Sequence, residues 1–190
     1  MVRVIGLLVA ATVLGAGCTR DATVECVDLD PGDLVITEFR GDQDPEDTLG
    51  IWVELFNASP STVDLSGLKV RFRKKDGSSE IPILVRRKVL VQPSEYVVLG
   101  LVPDDETRPE YIDYGFQDDF HMEYLSAAAV DVEMCGERID RATYDVLPKT
   151  GTYSFDGSTP PNADNNDIPA MWCTNASSPG TPRMANPVCP

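Results

Sequence analysis

Histidine is nearly absent from this 190-residue chain, which contains only His121. One imidazole leaves no room for a multi-histidine metal site. His121 also lies between Phe120 and Met122 in an alternating pattern, the place of an exposed strand residue rather than of a general base. Positive charge is scarce: 16 basic against 31 acidic side chains give a formal net charge of −15, which disfavours nucleic acid as a partner. No Gly-x-Ser-x-Gly elbow, no phosphate-binding loop and no Cys-x-x-Cys pair occur, so the usual signatures of a serine hydrolase, a nucleotide site and a zinc site are missing. No sustained helical repeat of apolar residues runs through the chain, which argues against an all-helical fold. Glycine (14) and proline (15) are too few for a collagenous or low-complexity chain, and 42% hydrophobic residues suffice for one core.

The N-terminus carries an address. Met1-Val2-Arg3 gives a short positive start, residues 4–14 are apolar except for Gly6 and Thr12, and Gly15-Ala16-Gly17 precede Cys18. This reads as an export signal over residues 1–17, too short to remain as a bilayer-spanning helix. An ordinary secretory signal cut near Gly17 would leave Cys18 as a thiol. The segment also resembles a bacterial lipobox, with Gly15 where Leu is usual and Leu14 one residue earlier. That resemblance implies a lipid on Cys18, a linker over residues 18–32, and a domain over residues 33–190. Thr19 rather than Asp after the cysteine points to the outer membrane. Several acyl chains, at about 0.8 kcal/mol per buried methylene, would make such an anchor effectively permanent.

With Cys18 set aside, Cys26, Cys135, Cys173 and Cys189 form an even set, as expected for two disulfides in an oxidising compartment. Three pairings are possible. The expected one joins Cys26 to Cys189, tying the domain ends together, and Cys135 to Cys173, pinning the C-terminal segment to a strand.

From Asp33 onward the sequence alternates with period two in short runs bounded by turn residues, which predicts an all-β fold. Strands are expected over residues 34–39, 51–56, 67–73, 81–91, 96–99, 130–134 and 138–144, with a further alternation over 120–124. In the third, Leu68, Val70 and Phe72 point inward and Lys69, Arg71 and Arg73 outward. Asp76-Gly77 suits a hairpin turn. Seven or eight such strands suggest a sandwich of two sheets. Residues 41–50, 102–119 and 145–172 read as long loops.

Specific words stand on these strands: Leu34-Val35-Ile36-Thr37-Glu38-Phe39, Trp52-Val53-Glu54-Leu55-Phe56-Asn57 and Val63-Asp64-Leu65-Ser66-Gly67-Leu68. Tyr96-Val97-Val98-Leu99, Gly136-Glu137-Arg138-Ile139-Asp140 and the tail, with Asn166-Asp167-Ile168-Pro169-Ala170-Met171-Trp172-Cys173, Gly180-Thr181-Pro182 and Ala185-Asn186-Pro187-Val188-Cys189, continue the order. Together they resemble the lamin tail domain family. Arg183 stands where relatives usually have Gly. The resemblance implies an immunoglobulin-like β-sandwich with a long disulfide-pinned C-terminal loop. It also implies a non-enzymatic binding or tethering module of a bacterial cell-envelope lipoprotein, with an envelope protein or polysaccharide as partner. No catalytic residue and no cofactor carry over from the family.

The residues themselves suggest further roles. Trp52 and Leu55 should bury apolar area, Asp64 and Ser66 should close a turn, and Glu54, opposite in face to Val53 and Leu55, should pair with a neighbouring group. Residues 69–88 hold eight basic and two acidic side chains, a local +6, against −22 for the rest of the chain once Arg3 leaves with the signal. Arg71, Arg73, Lys74, Lys75, Arg86, Arg87 and Lys88 are therefore candidates for an anionic ligand; the alternative is a basic edge that discourages strand addition. Asp164, Asn165 and Asp167 are candidate Ca²⁺ ligands, supplying hard oxygens without the spacing or glycine of an EF loop. Asp42-Gln43-Asp44-Pro45-Glu46-Asp47 is a second acidic run of the same kind. Asn and Asp also fill loops because they accept turn geometry.

Overall fold

Where apolar residues alternate along the sequence, the chain forms strands that bury one set of side chains and hydrogen-bond to their neighbours. The computed structural model describes residues 26–47, 49–120, 128–177 and 179–190. Among these residues twelve strands and very little helix are found. The first sheet has the order β12 (Trp172–Asn175), β11 (Thr152–Phe155), β1 (Leu34–Arg40), β2 (Trp52–Asn57), β7 (Tyr96–Gly100), β8 (Tyr114–Gly115). The second has the order β10 (Glu137–Tyr144), β9 (Ala128–Met134), β4 (Lys69–Arg73), β5 (Ile81–Leu84). A small ribbon pairs β3 (Val63–Asp64) with β6 (Leu90–Val91). All pairings are antiparallel except β7 with β8.

The two sheets face each other across one apolar core. Leu34, Ile36, Phe39, Val53, Leu55, Val97 and Leu99 come from the first, and Val70, Phe72, Ile83, Val130 and Val132 from the second. Alternation on β4 is as expected, with Val70 and Phe72 buried and Lys69 exposed. The first sheet differs, because β1 and β2 are buried on both faces. Its outer face carries a second apolar cluster, Trp52, Val98 and Ile112. Trp52 and Leu55 are thus both buried, on opposite faces. Asp64 closes its turn by accepting from Ser66 N and Oγ at 3.0 and 2.8 Å.

A bulge in β1 controls what lies on that outer face. Ile36 pairs with Leu55 and Glu38 with Glu54, so Thr37 is the extra residue. Strict alternation from Leu34 and Ile36 would send Glu38 into the core. The bulge instead turns Phe39 inward and sets Glu38 beside Glu54 on the outer face.

Several expected boundaries change. The strand expected over residues 81–91 is two strands, β5 and β6, since Arg86–Lys88 break the alternation between them. The segment 102–119 contains β8 and a short 3-10 turn, Gln117–Asp119. The segment 145–172 is not one loop. It contributes β11, which pairs with β1 and β12, and the one-turn helix α1 (Ala163–Asn166). The alternation over 120–124 falls largely on 121–127, and with His121 it lies outside the described residues. Cys18 and the signal over residues 1–17 lie outside them too.

Candidate functional site

The cysteines settle into two disulfides, but not the expected pairs. Cys26 bonds Cys135, at the β9–β10 turn, and Cys173 bonds Cys189. The expected Cys26–Cys189 and Cys135–Cys173 links fail because β12 carries Cys173 to the edge of the first sheet, while Cys135 caps a hairpin of the second. The C-terminal segment is therefore pinned to β12, next to which it folds back. The N-terminal segment is pinned to the end of the sandwich at which β1 begins.

The basic hairpin is largely neutralised from within. Arg71 pairs with Glu80 and Glu133 at 2.5 and 2.7 Å, Arg73 with Asp131, and Lys75 with Asp145 at 2.6 Å. Arg86 grips Asp119 through two nitrogens at 2.5 and 2.7 Å. Arg87 grips Asp104 at 2.6 and 2.7 Å and lies over the Tyr114 ring, 5.3 Å from its centroid. The Arg87 pair holds Asp104 below the usual carboxylate range, and the Asp119 pair raises Arg86 further. Among the described residues Lys74 and Lys88 make no ion pair. The candidates also separate along the hairpin. Arg86, Arg87 and Lys88 follow the end of β5 that pairs with Lys69, whereas Arg73, Lys74 and Lys75 lie at the other end of β4. Four residues of strand, about 13 Å, divide the groups.

Of the calcium candidates, Asp164 and Asn165 lie in α1 and Asp167 follows it. Asn162, outside the candidate set, organises this turn: its Oδ1 accepts from Asp164 N and Asn165 N at 2.9 and 3.3 Å, a helix N-cap. Among the described residues no three His, Cys, Asp or Glu side chains converge as a metal site. In the other acidic run, Asp47 pairs with buried Arg40 at 2.6 Å and Gln43 bonds Gly151.

The chain matches no protein-family model and no curated protein.

Two buried acids, Glu38 and Asp140, carry no role in the sequence, and a third, Glu54, is expected only to pair. Glu38, fully buried, accepts from Thr152 Oγ1 at 2.5 Å, Ser154 Oγ at 2.7 Å and the backbone N–H of Thr181 at 3.2 Å; the Thr181 hydroxyl lies against it but gives its proton to Asn186 Oδ1. Glu54, also fully buried, accepts from Thr37 Oγ1 at 2.8 Å and Arg183 N at 2.7 Å. It thus pairs with a neighbour as expected. Burial raises both carboxyls, and the charge of Glu38 raises Glu54 further. Asp140 joins the two sheets: its Oδ2 accepts from Ile36 N on β1 and from Asn166 Nδ2 on α1, both at 2.7 Å. Burial pushes Asp140 up to about 7. Asn166 also donates to Ile36 O at 3.1 Å and accepts at its own carbonyl from Trp172 Nε1 at 2.7 Å. The alternation in Thr152-Tyr153-Ser154-Phe155 is the available sequence signal, with two hydroxyls on the face opposite two aromatics.

Near the buried pair lies an open groove of about 420 Å³, lined by Phe56, Tyr96, Pro160, Ala185 and Asn186 among others. Phe56 and Tyr96 pack with ring centroids 4.8 Å apart.

Proposed function

We propose that this protein is an exported, lipid-anchored module of the bacterial envelope that binds or tethers without catalysing a reaction, built on an immunoglobulin-like, lamin-tail-like sandwich. The supporting observation is the Cys26–Cys135 disulfide. Cys26 stands eight residues after Cys18, so a lipid on Cys18 would hold this end of the sandwich within about 28 Å of the bilayer surface. Tension on such an anchor passes through the disulfide into the β9–β10 hairpin, bypassing residues 27–33. The opposite end, with the 41–50 loop and the Lys74–Lys75 turn, then faces away from the membrane towards a partner. Among the described residues no helix is long and apolar enough to cross a membrane. Two disulfides suit an oxidising compartment.

The test compares the wild type with Cys18→Ala, expressed with the full leader in a bacterial host. Membrane fractionation and intact mass are measured before and after reduction. The expected result is an acylated mature chain beginning at Cys18 in the membrane fraction, and a Cys18→Ala protein without lipid. A wild-type mass without acyl groups overturns the anchor.

A further inference from the structure

Glu38 and Glu54 are direct cross-strand partners with no water-exposed surface. Among the described residues no lysine or arginine side chain pairs with either. The nearest candidate, Arg183, turns its guanidinium towards Asp113 at 3.8 Å and offers Glu54 only its backbone N–H. The other groups around the pair are the hydroxyls of Thr37, Thr152, Ser154 and Thr181, the phenol of Tyr96 on β7, and the Asp113 carboxylate, whose charge adds to the repulsion on Glu54. Two like charges packed side by side without a cation do not both ionise readily. The pair therefore resists double ionisation, and Glu54, with fewer donors, is raised the further of the two.

What these carboxyls grip is the last stretch of the chain. Residues 180–188 cross the outer face of the first sheet, with Thr181 on Glu38 and Arg183 N on Glu54. Asn186 ties the same stretch to Thr37 O at 2.8 Å and accepts from Thr181 Oγ1 at 2.7 Å. Both ends of the stretch are tethered, one by β12 and the other by the Cys173–Cys189 disulfide, so its middle can lift without being lost. Its Ala185 and Asn186 line the groove together with Phe56 and Tyr96.

We propose that Glu38 and Glu54 form a proton-operated latch: with one proton between them they seat residues 180–188, and loss of that proton to solvent frees this strap and opens the groove it walls. The latch is independent of the anchor on Cys18. With both groups ionised, repulsion within the pair and from Asp113 is relieved by admitting water, and water enters most readily by displacing the strap's donors. The strap's own donors, Thr181 and Arg183 N, favour the ionised carboxyls, but burial and mutual repulsion outweigh them, so ionisation works against the closed arrangement. The strap is held below the titration of the folded pair and loosens as pH rises through it.

The test is amide hydrogen exchange at Thr181 and Arg183 in the disulfide-intact protein from pH 5 to pH 9, corrected for intrinsic base catalysis. Wild-type protection at these two amides should fall by up to tenfold per pH unit above the titration of the pair, while core amides such as Val53 hold theirs. Glu54→Gln should keep the strap protected across the range, and Glu38→Gln, which relieves the same repulsion, serves if that variant does not fold. Constant wild-type protection from pH 5 to pH 9 overturns the latch. So does a folded Glu54→Gln protein whose strap is already unprotected at pH 6, since the carboxylate charge would then be what holds it.

Discussion

Replacing Asp140 with Asn should flatten part of the pH dependence of folding, and the size of the effect follows from the site. Asp140 is 5% exposed, and its Oδ2 receives two hydrogen bonds of 2.7 Å, one from β1 and one from α1. Those donors favour the charged form, but burial outweighs them and the nearby Asp167 charge adds to it, moving the group from 3.8 to about 7. A raised folded value means that this group's contribution is complete below about pH 4 and is lost as pH rises through about 7. At 1.36 kcal/mol per pH unit the full loss is on the order of 4 kcal/mol, an upper limit because water entering the ionised site relaxes it. The amide introduced by Asp140→Asn cannot ionise, and its carbonyl can accept the same two donors. The useful quantity is the stability of Asp140→Asn minus that of the wild type, because titration of Glu38 and Glu54 cancels in the difference. Urea unfolding followed by tryptophan fluorescence suits the measurement, since the Trp172 indole bonds Asn166 O beside the substituted residue. The difference should climb in the variant's favour from pH 4 to pH 8 and level off above. A flat difference curve, or one that falls with pH, would refute the assignment of Asp140 as a buried, mostly neutral acid.

The disulfides should differ in weight: removing Cys26–Cys135, with a sequence separation of 109, should destabilise by about 5 kcal/mol, and removing Cys173–Cys189, with 16, by about 3. Equal losses in denaturant unfolding would contradict loop closure as the source. A Cβ added at Gly157 would collide with the backbone carbonyl of Asn186, so Gly157→Ala should destabilise by about 1–3 kcal/mol and raise exchange at Thr181; an unperturbed strap would mean that this contact is not tight. Asn162→Ala should cost about 1 kcal/mol through loss of the α1 cap, read by the same unfolding assay, and no change would show the cap to be solvent-replaceable. Changing Arg71, Arg73, Arg86 and Arg87 together to Ser should leave retention on immobilised heparin unaltered, because their own acids occupy them; salt-sensitive retention that the variant loses would reinstate the anionic-ligand surface.

The second sheet was legible because its outer face carries charged side chains, even where ion pairs bury Asp131. Val70 and Phe72 alternate with Arg71 and Arg73, and Val130 and Val132 with Asp131, so periodicity alone orients β4 and β9. β1 resisted the same logic, since Thr37 interrupts the period and both faces are covered. β11 was hidden for a related reason: Thr152 and Ser154 look like loop residues until Glu38 is known to sit opposite them. The charge count does not reach across the fold. A sum along residues 69–88 cannot include Asp131, Asp119 or Asp104, which the fold brings to Arg73, Arg86 and Arg87. Cysteine parity gave the number of bridges, whereas partner choice depends on which sheet each cysteine reaches, and β12 was not among the expected strands.

The C-terminal stretch and the buried acids explain each other. Glu38 and Glu54 could not remain on the outer face of the first sheet without donors, since a buried carboxyl left unpaired is costly. Residues 180–188 leave Met184, Ala185, Pro187 and Val188 exposed and form no strand of their own, so hydrophobic burial does not hold them there. Thr181 and Arg183 N supply what the acids lack, the acids supply the strap's attachment, and the Cys173–Cys189 bridge keeps the two sides at high effective concentration. An arrangement in which polar groups hold a covalently closed strap over a sheet already packed on its other face responds to protons more readily than to loss of core packing. The proton count of two carboxyls, rather than the apolar core, therefore governs how open the neighbouring groove is.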